Sequence, residues 1–230
     1  MSKLYKGLPV SCGIGRGNVV IIDCSCPEFE IKKIDDSDKE LGRFVRALKT
    51  YCDNTREQMD LIKRTVNHYE ADILQSHINM THNLALQSEL ITKVSNGMCA
   101  EQALSEVCDG YINSFLDADV DFVRQLATDV KDLKTCITNL LLGVEDVKVE
   151  DFGEDSIIIA KELLPSVIAR LDRKHTKGIV TEIGSYRSHG AALARAMNIP
   201  SVTNITDIDK LFSDGELATV NGDIGIITGG

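Results

Sequence analysis

Between about residues 37 and 143 the apolar residues recur every three or four positions, whereas both flanks carry short β-branched runs broken by glycines. The contrast predicts a helical segment inserted into an α/β unit. The first helix is expected to open at Ser37-Asp-Lys-Glu40, which has capping-box spacing, and to bury Leu41, Phe44, Val45, Leu48, Cys52, Thr55, Met59, Ile62 and Val66. A second is expected from about Tyr69 to Met80, and a third from Leu84 to the Asn96-Gly97 stop. Ala100 to Phe115 and Val123 to Leu140 read as two more, the last closed by Gly143. An antiparallel bundle follows, assigned to residues 35–143.

The flanks, 1–34 and 144–230, form the α/β part. Strands are expected at 17–22, 156–160, 178–181, 217–220 and 224–227, with helices at about 162–172 and 189–198. Asn221-Gly222-Asp223 between the last two runs is a hairpin signal. Gly13-x-Gly15-x-Gly17 lacks a preceding strand and a following helix in this reading, so it is taken as a turn before the strand rather than a dinucleotide loop.

The formal charge of −10 disfavours nucleic-acid binding, which needs a concentrated basic surface, and suits a basic protein partner. No apolar run approaches the ~18 residues of a membrane span, and the first residues lack the apolar core of an export signal. Membrane insertion is not expected, and the cytoplasm is the expected location. Seven cysteines without paired spacing point to free thiols in a reducing compartment. Cys24-x-Cys26 has no second Cys/His pair at zinc spacing, so no metal site is expected.

The densest chemistry lies in Thr181-Glu-Ile-Gly184-Ser-Tyr-Arg187-Ser188-His189-Gly190, read as a strand, a polar loop and a helix start. Ser188 is a good N-cap, which puts His189 at the first helical position, where an anion on its ring meets the positive helix end. Gly190 keeps the backbone accessible, and Arg187 and Arg195 are candidates for charge-assisted contacts to phosphoryl oxygens. Neutral imidazole is nucleophilic near pH 7, and its phosphoramidate is labile enough to pass the group on. A histidine at a helix start is nonetheless a common structural residue, and His68, His82 and His175 read as surface positions.

Gly184-Ser-Tyr-Arg-Ser188-His189-Gly-Ala-Ala-Leu-Ala-Arg195, followed by Asn-Ile-Pro200-Ser-Val202, resembles the G-G-x-T-S-H-x-x-x-x-A-R…P-x-V signature of the phosphoenolpyruvate-utilising swivelling domain. Ser11-Cys-Gly13-Ile14-Gly-Arg-Gly17, Ile73-Leu-Gln-Ser-His77-Ile78, Asp129-Val-Lys-Asp-Leu133 and Leu164-Pro165-Ser166 are similar to stretches of Enzyme I of the sugar phosphotransferase system. The likeness runs through the whole chain in order, helical insert included. It implies an α/β swivelling phosphohistidine domain with an inserted antiparallel α-helical bundle, in the N-terminal part of a phosphoenolpyruvate-protein phosphotransferase. It further implies that His189 takes phosphate originating from phosphoenolpyruvate on a separate C-terminal barrel and donates it to a histidine-phosphocarrier protein.

On the same likeness no cofactor is needed in this segment, magnesium belonging to the C-terminal domain. The bundle is expected to bind the carrier, with Ile78, Met80 and Leu84 as its apolar patch and Glu70 and Asp72 as acids. His77 matches a family helix position and is expected to pack or hydrogen-bond rather than react. Alternatives are a related phosphohistidine domain of the dikinase or dihydroxyacetone-kinase type, and a silent regulatory module. The chain departs from the signature at Ser185, Tyr186 and Arg187, and carries Leu164 where the family's threonine orients the active histidine. Either another group orients His189 or its ring is less restrained.

Overall fold

A computed structural model describes residues 3–66, 68–149, 152–153 and 155–230; the side chains of His68, Asp121 and Phe122 lie outside the described residues. Two compact units emerge, one built from residues 1–24 and 147–230, the other from 25–146.

The first unit holds an eight-stranded sheet made of β1 (Lys3–Lys6), β2 (Leu8–Ser11), β3 (Ile14–Ile22), β4 (Ser156–Ala160), β5 (Thr176–Thr181), β6 (Ser201–Thr203), β7 (Leu217–Asn221) and β8 (Ile226–Gly229), in the order β1-β8-β7-β3-β4-β5-β6-β2. β3 to β6 run parallel and the remaining pairs antiparallel. β4 is buried along its whole length, as a strand covered on both faces must be, which is why its sequence is an unbroken Ser-Ile-Ile-Ile-Ala run. Ile157, Ile159, Val180, Val202, Val220 and Ile227 pack on one face with Phe212. Each such side chain contributes about 1.5–3 kcal/mol by leaving water.

β1 and β2 stand at opposite ends of the strand order yet are separated in sequence by Gly7 alone. The sheet therefore curls until its two edges meet at that residue. Gly7 donates its N–H to Gly225 O at 2.8 Å, and a Cβ there would lie 2.1 Å from Thr203 O. Only glycine fits.

β3 is longer than expected. It pairs with β7 through residues 14–18 and with β4 through 18–22, and β2 precedes it. Gly15 is thus a strand residue rather than a turn residue, and Gly17 lies inside the strand it was expected to open. Both face inward, and a Cβ on either would stand 1.7 Å from a backbone oxygen, that of Lys177 or Asp155. Gly13, with φ of 112°, supplies the turn. At the other end Asn221 Oδ1 accepts from the N–H groups of Asp223 and Ile224, closing the expected hairpin, but β8 starts only after Gly225, at φ 71°. The helix expected at 162–172 shrinks to one turn, α6 (Pro165–Ile168), followed by α7 (His189–Ala196) and the short α8 (Ile208–Leu211); helices of the second unit are α1 to α5.

Those are α1 (Ser37–Thr65), α2 (His68–Thr81), α3 (Leu84–Ser95), α4 (Ala100–Leu116) and α5 (Asp121–Leu142). α1 buries Phe44, Ala47, Tyr51, Cys52, Thr55, Met59 and Ile62, while Val45, expected inside, is exposed. Asp36 caps α1 by accepting from Lys39 N, and the expected capping-box partners are used elsewhere. Ser37 Oγ donates to Val94 O, and Glu40 accepts from Arg43 and from Ala100 N. Arg43 also grips Glu101 and Leu141 O, joining α1, α4 and α5; its hydrogen bonds hold the Glu40 carboxyl below its ordinary range. Asn83 caps α3, and Gly143 ends α5 in the left-handed region as expected. No described helix is long and apolar enough to cross a membrane. No disulfide occurs among the described residues, and burial pushes the Cys108 thiol up to about 12.

Candidate functional site

β5, α7 and β6 form a parallel crossover, so the loop 182–188 lies at the carboxyl ends of parallel strands, where open α/β sheets bind ligands. Two features seat it. Ile183 donates its N–H to Lys161 O at 2.7 Å, anchoring the loop to the segment after β4. Gly184 then rests on the Thr203 hydroxyl, which is paired with Thr181 Oγ1 at 2.8 Å; a Cβ at Gly184 would come within 2.5 Å of Thr203 Oγ1. Beneath the loop a cavity of about 50 Å³ is edged on its polar side by Thr181, Ser185, Ser188, Ser201 and Thr203.

Ser188 is the N-cap of α7 as expected, with Oγ accepting from Ala191 N at 3.1 Å. Its hydroxyl proton goes to Ser185 O at 3.0 Å, so both of its hydrogen-bonding functions serve the turn. His189 follows at the first helical position, half-buried. Gly190, expected to leave the backbone open, is itself buried: a Cβ would press on Ile168 Cδ1 at 2.9 Å, so its missing side chain lets α6 pack against α7. Arg195 reaches back to the loop. Its Nη1 donates to Tyr186 O at 2.6 Å and its Cζ lies 4.3 Å from the Tyr186 ring centroid. Arg187 is exposed, its N–H donated to Ser185 Oγ. Leu164 is buried as the residue before α6, a packing position that offers no hydroxyl. Tyr186 is the member of this group that sequence reasoning did not use, although its departure from the signature marked it.

In the helical unit Asp72 is exposed, Met80 and Glu70 are half-buried, and Leu84 is 81% exposed at the first position of α3. Asp72 and Met80 are two i,i+4 steps apart and share a side of α2. Ile78 does not join them. It is 3% exposed and belongs to the core, which removes it from any surface patch. His77 is buried between α2 and α5, with Nε2 3.2 Å from Asp129 Oδ1 and Nδ1 3.7 Å from Asp132 Oδ2. The Asp-x-x-Asp spacing on α5 puts both carboxylates on one helix face, which is the physical content of that motif.

Two family models match the chain: the PEP-utilising enzyme N-terminal family over residues 6–125 and the PEP-utilising enzyme mobile domain over residues 152–225. The Mycoplasma capricolum phosphoenolpyruvate-protein phosphotransferase is 26% identical over 99% of this chain and 40% of its own length. The proteins of the same name from Bacillus subtilis and Lactococcus lactis are 30% and 31% identical over 94% and 96% of the chain, and 38% and 39% of their own lengths. The chain thus spans about two fifths of the curated relatives it matches. Among solved structures, the solution structure of the Enzyme I protein nEIt matches with TM-score 0.74 at 23% identity, over 97% of this chain and 92% of that one. The N-terminal domain of Enzyme 1 - Nitrogen matches with TM-score 0.65 at 21% identity, over the same shares. Both share the fold, an α/β domain with a helical subdomain. The two family-model matches place this chain in the family of PEP-utilising enzymes, of which it has the N-terminal and mobile-domain segments.

Proposed function

We propose that this chain is a phosphoryl relay in which His189 accepts a phosphoryl group originating from phosphoenolpyruvate and passes it to a histidine-phosphocarrier protein. One observation carries the reading: His189 opens a capped helix at the carboxyl ends of parallel strands, inside the segment matched by the mobile-domain family. In each half-step an imidazole nitrogen lone pair forms a new bond to phosphorus as the donor's bond to it breaks, and the three phosphoryl oxygens keep their charge throughout. The capped helix start and an arginine on α7 supply fixed positive charge for those oxygens, which matters most where charge spreads in transfer. No cofactor is assigned to this segment. Phosphoenolpyruvate chemistry, with the magnesium it uses, is assigned to a C-terminal domain that would lie in the remaining three fifths of a relative's length.

The direct test is incubation with phosphorylated histidine-phosphocarrier protein, followed by intact mass. An acid-labile gain of one phosphoryl group is expected in the wild type and absent in His189→Ala; a wild type that takes no group from carriers of either the sugar or the nitrogen branch overturns the reading in favour of a silent module.

The net charge of −10 suits a basic carrier, and the helical unit is the proposed docking surface, with Leu84, Met80 and Asp72 in contact. Leu84→Ala should weaken carrier binding about tenfold, roughly 1.4 kcal/mol, as an exposed apolar anchor does when truncated. Unchanged affinity by titration calorimetry would remove Leu84 from the interface.

A further inference from the structure

Tyr186 stands three residues before His189, and Arg195 six residues after it. The two are joined twice. Arg195 Nη1 donates to the Tyr186 carbonyl at 2.6 Å, and the guanidinium carbon lies 4.3 Å from the centroid of the Tyr186 ring. The Arg195 side chain therefore runs back along α7 toward the helix N-terminus, the direction in which helical Cα–Cβ bonds lean, and ties the last turn to the loop before the first. His189 sits inside the segment so closed.

The two contacts depend on residue 186 differently. Its carbonyl is backbone and is present whatever the side chain, whereas the stack needs an aromatic face. Tyr186 is 60% exposed, so its ring does not serve the core, and the stack on Arg195 is what holds it among the described residues. A guanidinium carries five N–H donors in one plane, and a single one of them is directed at the Tyr186 carbonyl. The stack fixes that plane while leaving further donors for an incoming anion. An exposed arginine without such a surface samples many rotamers, and that freedom is lost again each time it grips a phosphoryl group.

We infer that Tyr186 is a positioning residue for phosphoryl transfer, its ring holding Arg195 flat beside the loop that presents His189 so that the guanidinium is oriented before the anion arrives. This rests on the proposed relay role of His189; the stack itself does not. Arg195 gives and takes no proton in the step, and Tyr186 touches neither the phosphoryl group nor the attacking nitrogen.

The test uses the full chain with phosphoramidate as a small phosphoryl donor, following the acid-labile mass gain at His189, alongside proton NMR of the Arg195 δ-methylene. The wild type should show that methylene shifted upfield by the ring current. Tyr186→Ala should lose the shift and slow labelling about fivefold, and Tyr186→Phe, which keeps a ring, should rescue both. In an Arg195→Ala background, Tyr186→Ala should add nothing. Labelling of Tyr186→Ala at the wild-type rate, or a fivefold loss that persists without Arg195, overturns the positioning role alone. A wild type that takes no label from phosphoramidate or from carrier overturns the relay and this role together, with the ring-current shift still reporting the stack.

Discussion

Gly15→Ala should destabilise the α/β unit by about 3 kcal/mol or more, lowering the melting temperature by roughly 6–12 °C. The new Cβ would stand 1.7 Å from Lys177 O and 2.7 Å from its carbonyl carbon. Neither atom is the end of a flexible side chain, so relief requires β3 or β5 to move as a whole, at the cost of ladder hydrogen bonds on both. Gly110→Ala is the internal control. Gly110 lies in the body of α4, exposed, with nothing within 4 Å of where a methyl would stand, and there the lost backbone freedom of glycine should show as a gain of about 0.5–1 kcal/mol. Urea unfolding followed by circular dichroism reads both. A Gly15→Ala protein within about 1 kcal/mol of wild type would mean that the close approach of these strands is not a constraint of the native fold.

The same glycines show where the sequence was legible and where it was not. Periodicity located α1, α3, α4 and α5, because an amphipathic stripe of twelve or more residues is a local property, and all four lie where the stripes are. The paired Gly15 and Gly17 could not be read that way. Their role depends on Lys177 and Asp155, more than a hundred residues distant, and local reading saw only a turn leading into a strand. β1, β2 and β6 escaped for a related reason. They are three or four residues long, β1 and β2 stand at the ends of the strand order, and their apolar alternation is too short to exceed chance. α6 ended early because Leu171 and Asp172 serve the turn that returns the chain to β5, where Asp172 O accepts from Thr176 N.

At the site, Ser188 and His189 were legible because a cap followed by a helix start is a four-residue pattern. Arg195 was identified by type and spacing, and its actual partner was not: the guanidinium engages Tyr186, so whatever it does to an anion it does from a stacked position. Gly190 was identified for the wrong property. Its value lies in the approach of Ile168, and that contact links the helix start to α6. Ile78 shows the limit of pattern on a buried helix. α2 has apolar residues on more than one side, and nothing local separates Ile78, which is in the core, from Met80, which is half-exposed.

His77→Leu should destabilise the helical unit by about 3–5 kcal/mol, the range for removing one partner of a buried ion pair. His77, Asp129 and Asp132 are each at most 1% exposed, so the variant leaves two carboxylates inside the protein without the cation that faces them. Burial by itself pulls the imidazole pKa down; hydrogen bonding with Asp129 and the charges of Asp132 and Asp129 outweigh it and hold the ring above its ordinary value. The sign of the pH dependence follows. A histidine whose folded pKa exceeds the unfolded value of about 6.5 contributes its full stabilisation below that pH and loses it as pH rises through the folded value. The gap between wild type and His77→Leu should therefore be widest near pH 6 and narrow steadily toward pH 9. Tyr51, a titratable group near Asp132, does not reverse this: burial drives its hydroxyl well above its usual range, so it stays neutral across the window, and the Cys136 thiol that donates to Asp132 Oδ1 is left unchanged by the substitution. Thermal unfolding of both proteins at pH 6, 7.5 and 9 decides the matter. A gap that stays constant would mean that His77 is held by packing alone, and a gap that widens with pH would mean that the ring is buried neutral.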